Sequence, residues 1–160
     1  MNNWLNLEGN VCAVTGALGG MGVEICREFA RNGADVVLLD LDEDKVKTSA
    51  AGLSDEFGIR AEGYRMDATC EDEVQAAVDA TIRDFGRVDV LVNTAGILRF
   101  APMEDLPLSD WDAVIKVNLT GTFIASQRFG RQMIKQGAGR LVHISTAASY
   151  QPETFSGVYS

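Results

Sequence analysis

Asn10–Gly22 reads NVCAVTGALGGMG: a short apolar run, Val11 to Thr15, that breaks into glycines at Gly16, Gly20 and Gly22 and continues into sequence of helical period. This order predicts a strand, a tight turn and the N-terminus of a helix, the arrangement in which backbone N–H groups and a helix dipole hold a pyrophosphate. Glycine clusters also serve tight turns alone, so the residues around the stretch have to decide.

Outward from it, the chain alternates short aliphatic runs with longer helical stretches. Met21 to Asn32 carries Val23, Ile25, Cys26, Phe29 and Ala30 as one stripe, with Gly33 placed to end the helix. Asp35 to Leu39 is continuously apolar, as in a strand of a parallel sheet covered on both faces. Asp42 to Phe57 reads as a second helix through Val46, Ala50, Leu53 and Phe57, and Ala61 to Met66 as a weaker strand, interrupted by Gly63 and Arg65. Thr69 to Phe85 reads as a helix capped by Thr69, with Glu71, Asp72 and Glu73 at its positive end. Val88 to Val92 is a fourth strand, Ile97 to Pro107 a loop, Ser109 to Gln136 one long helix, and Arg140 to Ile144 a fifth strand. The small, polar remainder, Ser145 to Ser160, reads as loop. The order βαβαβαβαβ predicts an α/β fold, a doubly wound, Rossmann-like parallel sheet of about five strands in one domain spanning 1–160. Ligands of such sheets sit beyond the carboxyl ends of the strands, beside the first one.

Composition narrows the function classes. Of 160 residues, 46% are hydrophobic and 23% charged, as in ordinary soluble domains, and the net charge of −9 opposes nucleic-acid or anionic-membrane binding. Cys12, Cys26 and Cys70 show no metal-ligand spacing and His143 stands alone, so no metal site is expected and the cysteines read as reduced, buried thiols. His143 itself reads as a satisfied core residue. The N-terminus MNNWLNLEGN lacks the basic and apolar regions of a leader, and no run is long enough to span a membrane. A cytoplasmic protein without nucleic-acid or membrane partners is the expectation.

The five predicted strands deliver Thr15-Gly16, Asp40, Asp67, Asn93-Thr94-Ala95-Gly96 and Ser145-Thr146 to one rim. Asp40, about 20 residues beyond the glycines, stands where a carboxylate would accept a ribose 2′-OH, although it could also be a solvated strand end or a helix cap. Ala17, Leu18 and Leu41 offer no cation for a 2′-phosphate, so the charge pattern favours NAD over NADP.

Four segments carry a resemblance. Thr15 to Gly22, TGALGGMG, matches the TGxxxGxG motif of the short-chain dehydrogenase/reductase family. Asn93-Thr94-Ala95-Gly96 resembles its NNAG motif with Thr94 in place of the second asparagine, Asn118 in VNLTGTF falls at its helix asparagine, and Tyr159-Ser160 resembles the opening of its YxxxK motif. The resemblance implies hydride transfer between a nicotinamide and an alcohol or ketone, a polyol or sugar-like one by overall likeness. It further implies cofactor contacts at Thr15, Gly16, Leu18, Gly20, Met21, Gly22, Asp40 and Leu41. Asp67 and Ala68 would meet the adenine, and Asn93, Ala95 and Gly96 would pass the adenosine ribose.

Catalytic roles follow the same positions. Tyr159 would be the acid/base, a phenol that titrates near 10 unless a cation lowers it. The family supplies that cation as the motif lysine, which would fall beyond Ser160, as would a substrate lid. The hydroxyl donor, counted back from Tyr159, falls on Thr146, with Ser145 one residue earlier and preferred. Asn118 would hold a water in a proton relay. The alternative is a dinucleotide-binding fragment without catalysis. The wide apolar surface of the 109–136 helix predicts a homo-oligomer, and RLVHI (Arg140 to Ile144) an aggregation-prone sheet edge.

Overall fold

Five parallel strands form one sheet in the order β3-β2-β1-β4-β5: β1 Val11–Thr15, β2 Asp35–Asp40, β3 Ala61–Arg65, β4 Val90–Asn93 and β5 Arg140–His143. This is a computed structural model, describing residues 5–151 and 153–160. Residues 1–4, part of the N-terminus read above for a leader, lie outside the described residues. Helices α1 Gly20–Arg31, α2 Glu43–Phe57 and α3 Glu71–Phe85 make the first crossovers. After β3 the chain passes back over β1 to place β4 on its other side, with Val11 to Thr15 registered against both neighbours.

Strand periodicity builds a core on each face. Val11, Ala13, Val37 and Leu39 pack with Val74 and Val78 of α3 and with Ile124 and Phe129 further on. Their neighbours Cys12, Val14, Val36 and Leu38 pack on the other face with Cys26 and Ala30 of α1 and Val46 and Ala50 of α2. This alternation is why β1 and β2 read as unbroken apolar runs. Burial pushes the Cys12 and Cys26 thiols up to about 12, which keeps them neutral. Cys70 is only partly buried, unlike the expectation for all three cysteines.

Two readings of local structure are corrected and one is refined. Thr69 is not the cap of α3. Cys70 occupies that position, while the Thr69 hydroxyl turns back to donate to Asp67 Oδ1 at 2.8 Å. His143 is exposed on β5 rather than in the core, since its strand lies at the sheet edge. The long helix is present as α4 Leu108–Val114, a π-helical stretch Ile115–Gly121 and α5 Thr122–Gln136, which run on in helical backbone conformation without a break. Periodicity spanned the wider turn because both flanks keep the helical repeat.

β4 begins two residues later than predicted because Asp89 does other work. Its buried carboxylate accepts the Val11 N–H at 2.9 Å and pairs with Arg87 at 2.5 Å, fixing the entry of β4 beside that of β1.

Among the described residues β5 pairs with β4 alone, and all four residues of β5 are exposed. Val142 and Ile144, with Leu5, Leu7, Ile25 and Phe29, line an apolar groove of about 420 Å³ beside it. An unblunted apolar edge recruits other chains. The 160-residue chain should therefore scatter light increasingly with concentration, and Val142→Lys should suppress this; a monomer that melts cooperatively at high concentration would contradict the prediction.

Candidate functional site

β1 ends in a turn that only glycine permits. Gly16 has φ +64°, and a Cβ there would lie 2.8 Å from both Cα and N of Ala95, so the turns after β1 and β4 touch backbone to backbone. A Cβ on Gly22 would lie 2.2 Å from the Gly16 carbonyl oxygen, so α1 starts directly against the turn. At Gly20 a Cβ would meet nothing within 4 Å.

The amides at this point divide into two sets. Leu18 N–H donates to Asp40 Oδ2 at 2.9 Å, Gly19 N–H to Gly16 O at 3.0 Å and Val23 N–H to Gly19 O at 2.9 Å. The amides of Gly20, Met21 and Gly22 have no acceptor among the described residues. They stand at the positive end of a twelve-residue helix with no acidic residue in its first turn. Free donors, a dipole and open space above Gly20 fit a phosphate group.

Asp40 closes the next side. One carboxylate oxygen accepts from Leu18 N–H and the other from Leu41 N–H, at 2.9 and 2.7 Å, which orients the group and leaves lone pairs for hydroxyl donors. It does not cap α2: Asp42 does, accepting from Lys45 N–H at 3.1 Å. Beyond β3, Asp67 Oδ1 accepts from the Thr69 N–H and hydroxyl. Its own N–H donates to Glu73, which ion-pairs with Arg65 at 2.7 Å. The Arg65 bond, then the Asp67 amide, hold the Glu73 carboxyl below the usual carboxylate range.

These turns enclose a cleft of about 380 Å³, within the usual range of ligand sites. Eight expected residues line it: Gly16, Leu18, Asp40, Leu41, Asp67, Ala68, Ala95 and Gly96. Its lining also includes Thr94, which the sequence placed on the rim without a role, and Gly19, Met66, Thr69, Ile97 and Val117, which sequence reasoning passed over, and it contains no lysine or arginine. Thr94 was visible as the departure from the NNAG pattern, whereas the contribution of Val117 depends on how the π-helical stretch is rotated.

Five expected cofactor residues are not in that lining. Gly20, Met21 and Gly22 flank it at the start of α1, with the Met21 side chain exposed. Thr15 is buried behind it, its hydroxyl accepting the Ala95 N–H at 3.2 Å. The buried Asn93 amide turns away, reaching Ser126 Oγ at 3.3 Å and His143 Nδ1 at 3.1 Å.

Asn118 sits beside the loop that follows β4. Its Oδ1 accepts the Ile97 N–H at 2.8 Å and its Nδ2 donates to the Ile97 carbonyl at 2.9 Å, so both ends of the amide engage the backbone of one residue. A side-chain amide presents the same donor and acceptor pair as a peptide, and here it pins the loop after β4. Thr146 is engaged locally, its hydroxyl accepting Ala148 N–H at 3.2 Å at the start of a short 3₁₀ turn, Ala147–Ser149. The exposed Ser145 hydroxyl and the partly buried Tyr159 hydroxyl have no hydrogen-bond partner among the described residues, and neither residue lines the cleft. Among the described residues no cluster of three or more His, Cys, Asp or Glu could hold a metal, and no helix is long and apolar enough to cross a membrane.

Comparison with known proteins fits this geometry. The family model described as short chain dehydrogenase matches residues 10–160. A D-threitol dehydrogenase of Mycolicibacterium smegmatis is 40% identical over 143 residues, covering 89% of this chain and 55% of that protein. The crystal structure of an NAD+-bound xylitol dehydrogenase superposes with TM-score 0.91 at 35% identity, covering 96% of this chain and 59% of that one. A gluconate 5-dehydrogenase from Burkholderia cenocepacia in complex with NADP and tartrate has the same score and identity, with 96% and 60% covered. The chain thus spans a little over half the length of these relatives.

Gly20→Ala and Gly22→Ala should separate binding from folding. The first, with open space for its methyl, should keep stability within about 1 kcal/mol yet weaken dinucleotide binding by about tenfold or more. The second drives a Cβ into a backbone oxygen and should cost about 3 kcal/mol or more; thermal melts and calorimetric titration read both, and equal behaviour of the two variants would refute the assignment.

Proposed function

The chain belongs to the short-chain dehydrogenase family, and on that footing we propose that it forms the NAD-binding part of an oxidoreductase interconverting a secondary alcohol and a ketone. The observation that carries the cofactor choice is the cleft lining, which pairs Asp40 and Asp67 with no lysine or arginine. A 2′-phosphate would meet the Asp40 carboxylate, whereas a 2′-hydroxyl would donate to it.

In this reading the Gly20, Met21 and Gly22 amides receive the pyrophosphate, and Gly16, Leu18 and Leu41 shape the cleft beside Asp40. Asp67 and Ala68 face the adenine. Ala95 and Gly96 border the adenosine ribose, held from behind by Thr15 and Asn93. The bound nicotinamide supplies hydride acceptance or donation. Tyr159 moves the proton at the substrate oxygen, Ser145 or Thr146 donates a hydrogen bond to that oxygen, and Asn118 fixes the loop that precedes the substrate region.

The D-threitol and xylitol dehydrogenases among the relatives favour a polyol or sugar-like substrate. Exposed Trp111, Leu119 and Phe123 on the 109–136 helix support a homo-oligomer formed through that face. Inert buried thiols at Cys12 and Cys26 suit a reducing cytoplasm. A second reading, dinucleotide binding without turnover by these 160 residues, is favoured because the Tyr159 hydroxyl bonds to neither Ser145 nor Thr146.

Two measurements test the proposal. NAD should bind the chain about tenfold or more tightly than NADP, a difference of about 1.4 kcal/mol, and equal or tighter NADP binding would overturn the cofactor choice. The gene product containing this sequence should form NADH from secondary alcohols including polyols, and Tyr159→Phe should lower kcat about 100-fold or more. No NADH formation across a broad alcohol panel, with NAD shown to bind, would overturn the activity.

A further inference from the structure

We propose that Glu73 is a positioning residue for cofactor choice: it holds Arg65 away from the 2′ side of the adenosine ribose, so that Asp40 meets a 2′-substituent with no cation beside it. The proposal rests on the NAD-binding reading for its ligand and on the ends of β2 and β3 for its mechanism. Arg65 closes β3 in register with Asp40, the residue that closes β2. The next amide, Met66 N–H, donates to the Asp40 carbonyl oxygen at 2.8 Å, which ties the two strand ends together.

Paired residues of neighbouring strands put their side chains on one side of a sheet, and the strands lie about 4.8 Å apart. An arginine side chain is longer than that spacing. Arg65 nonetheless turns to α3, where its Nη1 pairs with Glu73 Oε2 at 2.7 Å. The carboxylate is itself held, since the same oxygen accepts the Asp67 N–H at 2.8 Å. The bond to Glu73, and after it the charges of Asp67 and Glu43, raise the Arg65 guanidinium above its usual pKa.

A guanidinium bound to a fixed carboxylate offers little net field, and the cleft lining is left without lysine or arginine. Asp40, its oxygens on the Leu18 and Leu41 amides, then acts unopposed at the ribose. Both ions are partly exposed, 47% for Arg65 and 31% for Glu73, so nothing but this pairing keeps the arginine at α3. Once free, Arg65 brings the forked donor set that suits a phosphate to the strand end opposite Asp40. Glu73→Gln keeps an oxygen for the Asp67 N–H and removes only the charge.

The test titrates NAD and NADP calorimetrically into the 160-residue chain and three variants: Glu73→Gln, Glu73→Gln with Arg65→Met, and Glu71→Gln. Glu71 serves as the control because it stands in the same first turn of α3 and loses the same charge, but its partner is Arg128 of α5. The preference for NAD over NADP should fall about fivefold or more in Glu73→Gln, through tighter NADP binding. It should return to within about twofold of the parent in the double variant and stay within about twofold in Glu71→Gln. A looser Asp67 turn would change both affinities alike and leave the preference where it was. With NAD binding to the parent intact, an unchanged preference in Glu73→Gln, or a fall that persists without Arg65, would overturn the role. Binding of neither dinucleotide by the parent would overturn the cofactor reading, and this role with it.

Discussion

The structure depends on one contact, the backbone of Gly16 against the backbone of Ala95. β1 and β4 are adjacent parallel strands whose chains leave the sheet in different directions, and a cleft opens only where their turns separate again. A side chain at Gly16 would push the turns apart at their root. With the contact made, α1 starts against the Gly16 carbonyl, Leu18 comes within reach of Asp40, and the loop beyond Gly96 lies where Asn118 can clasp Ile97. The cleft is the space these attachments leave.

Electrostatics works locally against the charge of the whole. A net charge of −9 repels anions at long range, and the cleft adds Asp40 and Asp67. The attraction comes from unpaired amides in the first turn of α1, reinforced by the helix dipole and the absence of acids in that turn. Such a site holds a phosphate at one place and rejects it a few ångströms away, which is how Asp40 can stand near a pyrophosphate position and still oppose a 2′-phosphate. The same field gives the chain no general affinity for polyanions.

Strands and glycine turns were legible because their causes are local. Apolar runs that read as buried on both faces are so, and Gly33 ends its helix in the left-handed conformation expected of it, as Gly58, Gly86 and Gly137 end theirs. Asp40 was legible as a strand end facing the glycines. What escaped the sequence was set by tertiary partners. Thr69 has the chemistry of a cap and is drawn back by Asp67; Asn118 sits in a periodic helix that widens into a π turn; His143 lies in a run read correctly as an edge, yet its side chain was read as core and is exposed. Thr94 was visible as an exception to a motif, but its hydrogen bond to the Thr15 carbonyl exists only in the folded turns.

The central claim is that the amides opening α1 are the anion seat of the chain. An amide-resolved NMR titration of the 160-residue chain with NAD tests it most directly. The account predicts the largest shift changes at the N–H groups of Gly20, Met21 and Gly22, with changes at Leu18 and Leu41 as Asp40 takes up the ribose. Saturable binding with those amides unmoved, or shifts centred on another face of the sheet, would contradict it.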